Sequence, residues 1–207
     1  MIRRSLSLGV AVGLYGASFG AAAVAAGFSV LQASATSLLV FTGASQFALV
    51  SVLGAGGSVA AGVASAVLLG SRNGLYAVLL AERIPLPGWR RVVAAQVTID
   101  ESTAVATTSP AALTRVGFFW TGLTVYVVWN LATIAGAASA AAVDPTTIGL
   151  DGAVGAAFLG LLWPRLREAW PIALGGALLA VIAVPLTPPG VPVLVAGLAV
   201  LPSMVKR

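Results

Sequence analysis

The chain has no cysteine and no histidine. Disulfides, thiol chemistry and Cys/His metal sites are thereby excluded, and a Ser–His nucleophile cannot be assembled. Any proton that such a protein carries must ride on a carboxylate. Charge is the next scarcity: Asp, Glu, Lys and Arg make up 8% of the chain, against roughly a quarter of a soluble domain. So few charges cannot cover a surface that faces water. With 59% apolar residues and a mean hydropathy of +1.03, this is the composition of an all-α, polytopic membrane protein. Neither a G-x-x-x-x-G-K-[ST] phosphate loop nor a G-x-S-x-G element occurs, so neither ATP-driven work nor serine-hydrolase chemistry is expected. An aspartyl pair would have to join Asp100 to Asp144 or Asp151, which sit in a loop. An enzyme is therefore not expected, and no cofactor is implied.

The net charge of +5 and a pI near 10.8 would suggest nucleic acid in a soluble protein. Here Arg3-Arg4, Arg83, Arg90-Arg91, Arg115, Arg165, Arg167 and Lys206-Arg207 fall mostly at the ends of apolar runs. That is where topological signals and lipid-headgroup contacts belong. No basic face with interleaved aromatics forms, so nucleic acid is not expected as a partner.

At roughly 20 residues per span, the length suits one transmembrane domain of about six to eight helices. Candidate segments are Leu6–Ala26, Leu31–Leu53, Val59–Ala81, Val92–Ser109, Val116–Val143, Gly152–Trp163, Ile172–Val184 and Pro192–Val205. Arg3-Arg4 before the first run resembles a signal peptide. The run is too long for an h-region and further spans follow, so it reads as a membrane helix. Three of the last four segments are too short to span alone and read as tilted, broken or re-entrant. Eight spans with a cytoplasmic N-terminus put every basic cluster inside except the Arg83/Arg90/Arg91 loop. A re-entrant hairpin over Leu31–Leu53, broken at Gly43-Ala44-Ser45-Gln46, repairs that loop but moves others; the simpler count is adopted. Phe28–Phe41 and Ile148–Leu161 are faintly alike, which raises an inverted repeat with halves 1–110 and 116–207, a common transporter plan. Gly9, Gly13, Gly16 and Gly20 form a smooth stripe expected to pack against another helix of this chain.

Charges within apolar segments are costly and usually mark a pathway. Gln96, Asp100, Thr103 and Thr107 are spaced to form one polar helical face, with Glu101 and Thr108 beside it. The face lines a protein cavity, or the segment lies at the interface with its carboxylates in water. In a cavity, one of the adjacent acids, Asp100 or Glu101, is a candidate proton carrier. Arg72 lies about two turns from its segment's end, too deep for easy snorkelling. It needs an anionic or carbonyl partner, and Asp100 or Glu101 is the natural one; the pair is either a purely structural bridge or a switch. Tyr76 shares its face, and Asn73 adjoins it. In Phe41–Phe47, Gly43 with Thr42, Ser45 and Gln46 weakens a helix locally, and such a break exposes backbone groups to substrate.

Taken in order, FTGASQF at 41–47, RNGLY at 72–76 and Asp100-Glu101 within TIDESTAVA resemble the AzlC family, the large subunit of bacterial branched-chain amino-acid exporters. The resemblance also covers the Gly/Ala-rich first helix and the apolar last third. It implies export of branched-chain amino acids, with methionine as a further candidate, across the cytoplasmic (inner) membrane. It further implies a small AzlD-type membrane subunit as partner and coupling to an ion gradient, protons above all. Members often carry Asn two residues before the arginine; this chain has Gly70, and Asn73 is the nearby amide. A channel or pore subunit for small solutes is the alternative.

Overall fold

Among the described residues, three stretches are long and apolar enough to cross a membrane: Ile2–Ala25, Val59–Ala81 and Ala111–Ala142. The computed structural model describes residues 1–142, 163 and 166–202, and those residues are helical and free of strands. The first crossing comprises α1 (Ile2–Gly13) and α2 (Gly16–Ala25). Next come α3 (Val30–Leu39) and α4 (Ala44–Gly54), then the 23-residue α5 (Val59–Ala81). Two short helices, α6 (Arg90–Gln96) and α7 (Asp100–Thr108), precede the 32-residue α8 (Ala111–Ala142). Finally α9 (Trp170–Ala183) turns back into α10 (Val191–Gly197), which ends in a 3₁₀ turn, Leu198–Val200.

The glycine stripe sets the frame. Gly9 lies against Thr124, Gly13 against Val128, Gly16 against the Trp129 carbonyl and Gly20 against the Thr133 carbonyl. Positions rise together on both helices, so α1–α2 and α8 run in the same direction. A Cβ at Gly16 or Gly20 would strike a backbone carbonyl. In lipid, where apolar burial gives little preference for one packing over another, such close approach is what favours helix pairing. The stripe packs within this chain, as expected.

Between these parallel crossings the chain folds twice into a hairpin. α3 starts beside the end of α2 and runs back along α8: the Ser37 hydroxyl donates to Thr133 Oγ1 at 3.2 Å, and Phe41 meets the Tyr126 ring at 4.9 Å. α4 then reverses. Phe47 packs on Phe19 at 5.7 Å between ring centroids, and a Cβ on Gly54 would lie 3.0 Å from that of Ala26. α4 therefore runs parallel to α2 and returns to the side where α3 began.

α5 crosses the whole layer, passing Leu49 at Gly62 and Ser45 at Gly70, and ends near Val97 and Phe118. From that side α6 climbs until Val97 fills the space at Gly122. α7 descends again, parallel to α5. Tyr76 bonds Asp100, and Arg83 bonds the Thr107 carbonyl, both across a separation of 24 residues. Each unit is thus a crossing helix followed by a half-depth hairpin, and the second unit is the first turned upside down.

This corrects the simpler span count. Leu31–Leu53 and Val92–Ser109 are two re-entrant hairpins that enter from opposite sides. Gln96, Asp100, Thr103 and Thr107 do not share one continuous helical face, because Val97–Ile99 interrupts the helix. The run Val97-Thr98-Ile99 is β-branched and disfavours helix. Ser102 secures the break: its hydroxyl donates to the Val97 carbonyl at 2.7 Å and accepts from the Ile99 N–H at 3.0 Å. In this arrangement Arg3, Arg4, Arg83, Arg90, Arg91 and Arg115 are exposed at one end of the bundle, so the once-misplaced loop joins Arg3-Arg4 and Arg115. α9 and α10 pack as an antiparallel pair beside α5, where the Ser65 hydroxyl donates to the Gly190 carbonyl at 3.5 Å. Gly152–Trp163, all but Trp163, and the end of Pro192–Val205 lie outside the described residues, as does the proposed match of Ile148–Leu161 to Phe28–Phe41.

The protein's lack of cysteine makes the hairpin directly testable. Ala26→Cys with Gly54→Cys should form an intramolecular disulfide, seen by mass spectrometry of the oxidised protein. Were Leu31–Leu53 a full span, the two positions would lie about 30 Å apart and no bridge would form.

Candidate functional site

The tips of the two hairpins meet against the middle of α5. At the first tip the helix breaks over Val40–Gly43, and Gly43 takes φ +66° and ψ −88°. That conformation is the rare, strained γ-turn region, open in practice only to glycine. Gln46 folds back so that its Oε1 accepts from the Gly43 N–H at 3.1 Å. The helix is broken slightly N-terminal of the expected Gly43–Gln46: Ala44, Ser45 and Gln46 form the first turn of α4, where the Gln46 N–H donates to the Gly43 carbonyl at 3.0 Å and the amides of Ala44 and Ser45 lack an intrahelical acceptor.

At the second tip Asp100 opens α7. The Tyr76 hydroxyl donates to Asp100 Oδ1 at 2.8 Å, and Arg72 Nη2 lies 3.2 Å from Oδ2. The same Nη2 donates to the Thr42 carbonyl at 3.4 Å. One guanidinium on a crossing helix thus holds both hairpin tips. The side chains of Arg72 and Asp100 are 32% and 28% exposed, so the pair is only partly enclosed by the described residues.

Around this pair lie polar groups without a partner among the described residues: Thr42 Oγ1, Ser45 Oγ, Gln46 Nε2, Arg72 Nε and Asn73 Oδ1. Ser45 is 1% exposed and Gln46 0%. Native structures rarely leave so many buried groups unmatched in one place, and at a mid-membrane junction such a cluster is suited to a polar solute. An aromatic wall adjoins it, where Phe19, Phe47 and Trp129 pack on one another, with Phe41 and Ile99 in the same buried cluster.

Thr42, Gly43, Ser45, Gln46, Arg72, Asn73, Tyr76 and Asp100 lie at or beside this junction. Glu101 follows Asp100 on α7 and is half-buried. Thr103 is buried one turn further along, with its hydroxyl unpartnered. Gln96 serves the fold instead, because its Nε2 donates to the Leu38 carbonyl at 2.8 Å and ties one hairpin to the other. Sequence reasoning passed over Tyr126, which donates to the same carbonyl at 3.2 Å, and over Trp129 and Asn130. Asn130 is 7% exposed, with Oδ1 unpartnered. A polar amide within an apolar span was a visible signal of the kind that marked Arg72. Toward the arginine-rich end a cavity of about 400 Å³ opens between α5 and α6, lined by Leu80, Ile84, Arg91, Ala94 and Thr98 among others.

Gly43→Ala should lower thermal stability in detergent by about 1–2 kcal/mol, the usual cost of a side chain at positive φ. In a double-mutant cycle of Arg72→Met and Asp100→Asn, the two changes together should cost less than the sum of each alone, because either single change strands a polar partner. Additive melting shifts would mean that the pair is not coupled.

The family model for AzlC protein matches residues 7–143, more than half of the chain. No curated protein and no solved structure matches.

Proposed function

We propose that this chain, which belongs to the AzlC family and so to membrane proteins of branched-chain amino-acid transport, is a secondary exporter of leucine, isoleucine, valine and also methionine. The observation that carries the reading is Arg72, bonded at once to the Thr42 carbonyl on one hairpin tip and to Asp100 on the other. The substrate carboxylate would meet the amides of Ala44 and Ser45 at the start of α4, the Ser45 hydroxyl and Arg72 Nε; helix N-termini favour anions. The aliphatic side chain would lie toward Phe41, Phe47 and Trp129.

Coupling follows from competition for one carboxylate. Deprotonated, Asp100 draws the substrate's ammonium group while Arg72 turns to its carboxylate. A proton arriving from the outer face, directly or by way of Glu101, neutralises Asp100 and releases the amino acid, so proton and substrate occupy the junction in turn and exchange across the membrane. In this scheme each hairpin is a gate, α6–α7 toward the arginine-rich side and α3–α4 toward the other, and Arg72 is engaged with both only when no substrate is held. The positive-inside preference makes the arginine-rich end cytoplasmic. Substrate then enters through the cavity beside Thr98 and leaves past Gly43 at the cytoplasmic membrane's outer face. A small AzlD-type subunit would cover part of the lipid-facing surface.

Reconstituted into liposomes, with and without an AzlD-type subunit, the protein should accumulate labelled leucine saturably under an imposed pH gradient. Asp100→Asn should abolish the pH dependence, and Arg72→Lys should lower transport by about tenfold or more, since a point charge cannot hold the two tips as a fork does. Flux that only equilibrates favours the channel reading, and unchanged transport in both variants overturns the proposed coupling.

A further inference from the structure

We infer that the absent side chain at Gly70 makes the room in which the substrate's zwitterionic headgroup sits; this rests on the export reading above. Gly70 lies in mid-α5, where a membrane helix commonly uses glycine to let another backbone approach. Here the neighbour is a side chain. Among the described residues, the atoms within 4 Å of a Cβ at position 70 are the Ser45 hydroxyl oxygen, in tight contact at 3.1 Å, and the Ser45 Cβ, at 4.0 Å. At Gly16 and Gly20, by contrast, the neighbours are carbonyls of the facing helix. What Gly70 faces is a buried hydroxyl with no partner among the described residues.

The chemistry of the surrounding groups names the ligand class. Asn73, one turn along the same face of α5, leaves Oδ1 unpaired, which is an acceptor. Gln46 Nε2 and Arg72 Nε are unpaired donors, and the Ser45 and Thr42 hydroxyls serve in either sense. A simple anion would leave the acceptor unmatched, and a simple cation would leave both donors unmatched. An α-amino acid headgroup, with carboxylate and ammonium on adjacent carbons, matches both. Position 70 would therefore govern affinity for the headgroup, common to all substrates, and not the choice among aliphatic side chains.

Gly70→Ser places a hydroxyl beside Ser45, supplies its partner from within the protein and fills the space. With the AzlD-type subunit co-reconstituted, it should raise KM at least about tenfold, equally for leucine, isoleucine, valine and methionine, as expected for loss of one charge-assisted contact. Thermal melting without substrate should be unchanged or higher, while the stabilisation by leucine should be lost. Gly70→Ala should show the same pattern in milder form, and Gly74→Ala, with nothing within 4 Å of its Cβ, should be silent. Unchanged KM, a loss that differs between substrates, or a lowered melting temperature in both Gly70 variants overturns the inference. Wild-type protein that moves none of the four amino acids overturns the export reading and this inference with it.

Discussion

An interrupted helix in lipid leaves backbone groups that must find partners inside the protein, and Arg72 answers that need at two interruptions at once. Its guanidinium reaches the carbonyl of Thr42 and the carboxylate of Asp100, the ends of hairpins that enter from opposite sides. Remove the charge and the two tips lose the side chain that bonds both of them. The pair also explains why a carboxylate is tolerated at this depth: Tyr76 and Arg72 together occupy both oxygens of Asp100. Gln96 and Tyr126 add a second tie by donating to the Leu38 carbonyl at the end of α3.

Around this junction the structure divides into a frame and two short-helix hairpins. The frame is α1–α2 against α8, joined by glycines whose backbones touch across the interface. Such contacts leave little freedom to slide, because interdigitated backbones do not re-pack in small steps. The hairpins are attached differently. They are short, they end in polar breaks, and their tips are tied to the frame and to α5 through a few directional bonds. Directional bonds can be exchanged for bonds to a solute at little net cost; packed backbones cannot. A transporter needs both kinds of attachment.

The inverted arrangement of the two crossing-plus-hairpin units gives the junction equivalent approaches from either side. Each hairpin presents a helix N-terminus to the middle, α4 at Ala44 and α7 at Asp100. They differ in what they offer there. The first carries uncharged Ser45 and Gln46, suited to receive an anion, whereas the second supplies its own carboxylates. In the proposed function a carboxylic solute and a proton would have separate stations that share one arginine.

Much of this was legible in the residues. Composition settles the membrane and the helices, since nothing else hides so apolar a chain. Val59–Ala81 was delimited to the residue, and the first and fifth segments to within a few positions, because hydropathy and flanking charges mark helices that cross alone. The need of Arg72 for a counter-charge pointed to Asp100 or Glu101, of which the structure pairs it with Asp100, and Gly43 announced the first break. Family motifs and polar residues in apolar runs assembled most of the site. What the residues did not disclose was direction. Hydropathy is the same whether a run crosses or turns back, so Leu31–Leu53 read as a span. The polar spacing from Gln96 to Thr107 read as one helix although Val97–Ile99 breaks it. Sequence by itself determined the membrane, the helices and the charged pair; only tertiary contacts decided which helices cross and which return, because the parallel packing of Gly54 on Ala26 and of Thr107 on Arg83 is a relation between segments that no single segment encodes.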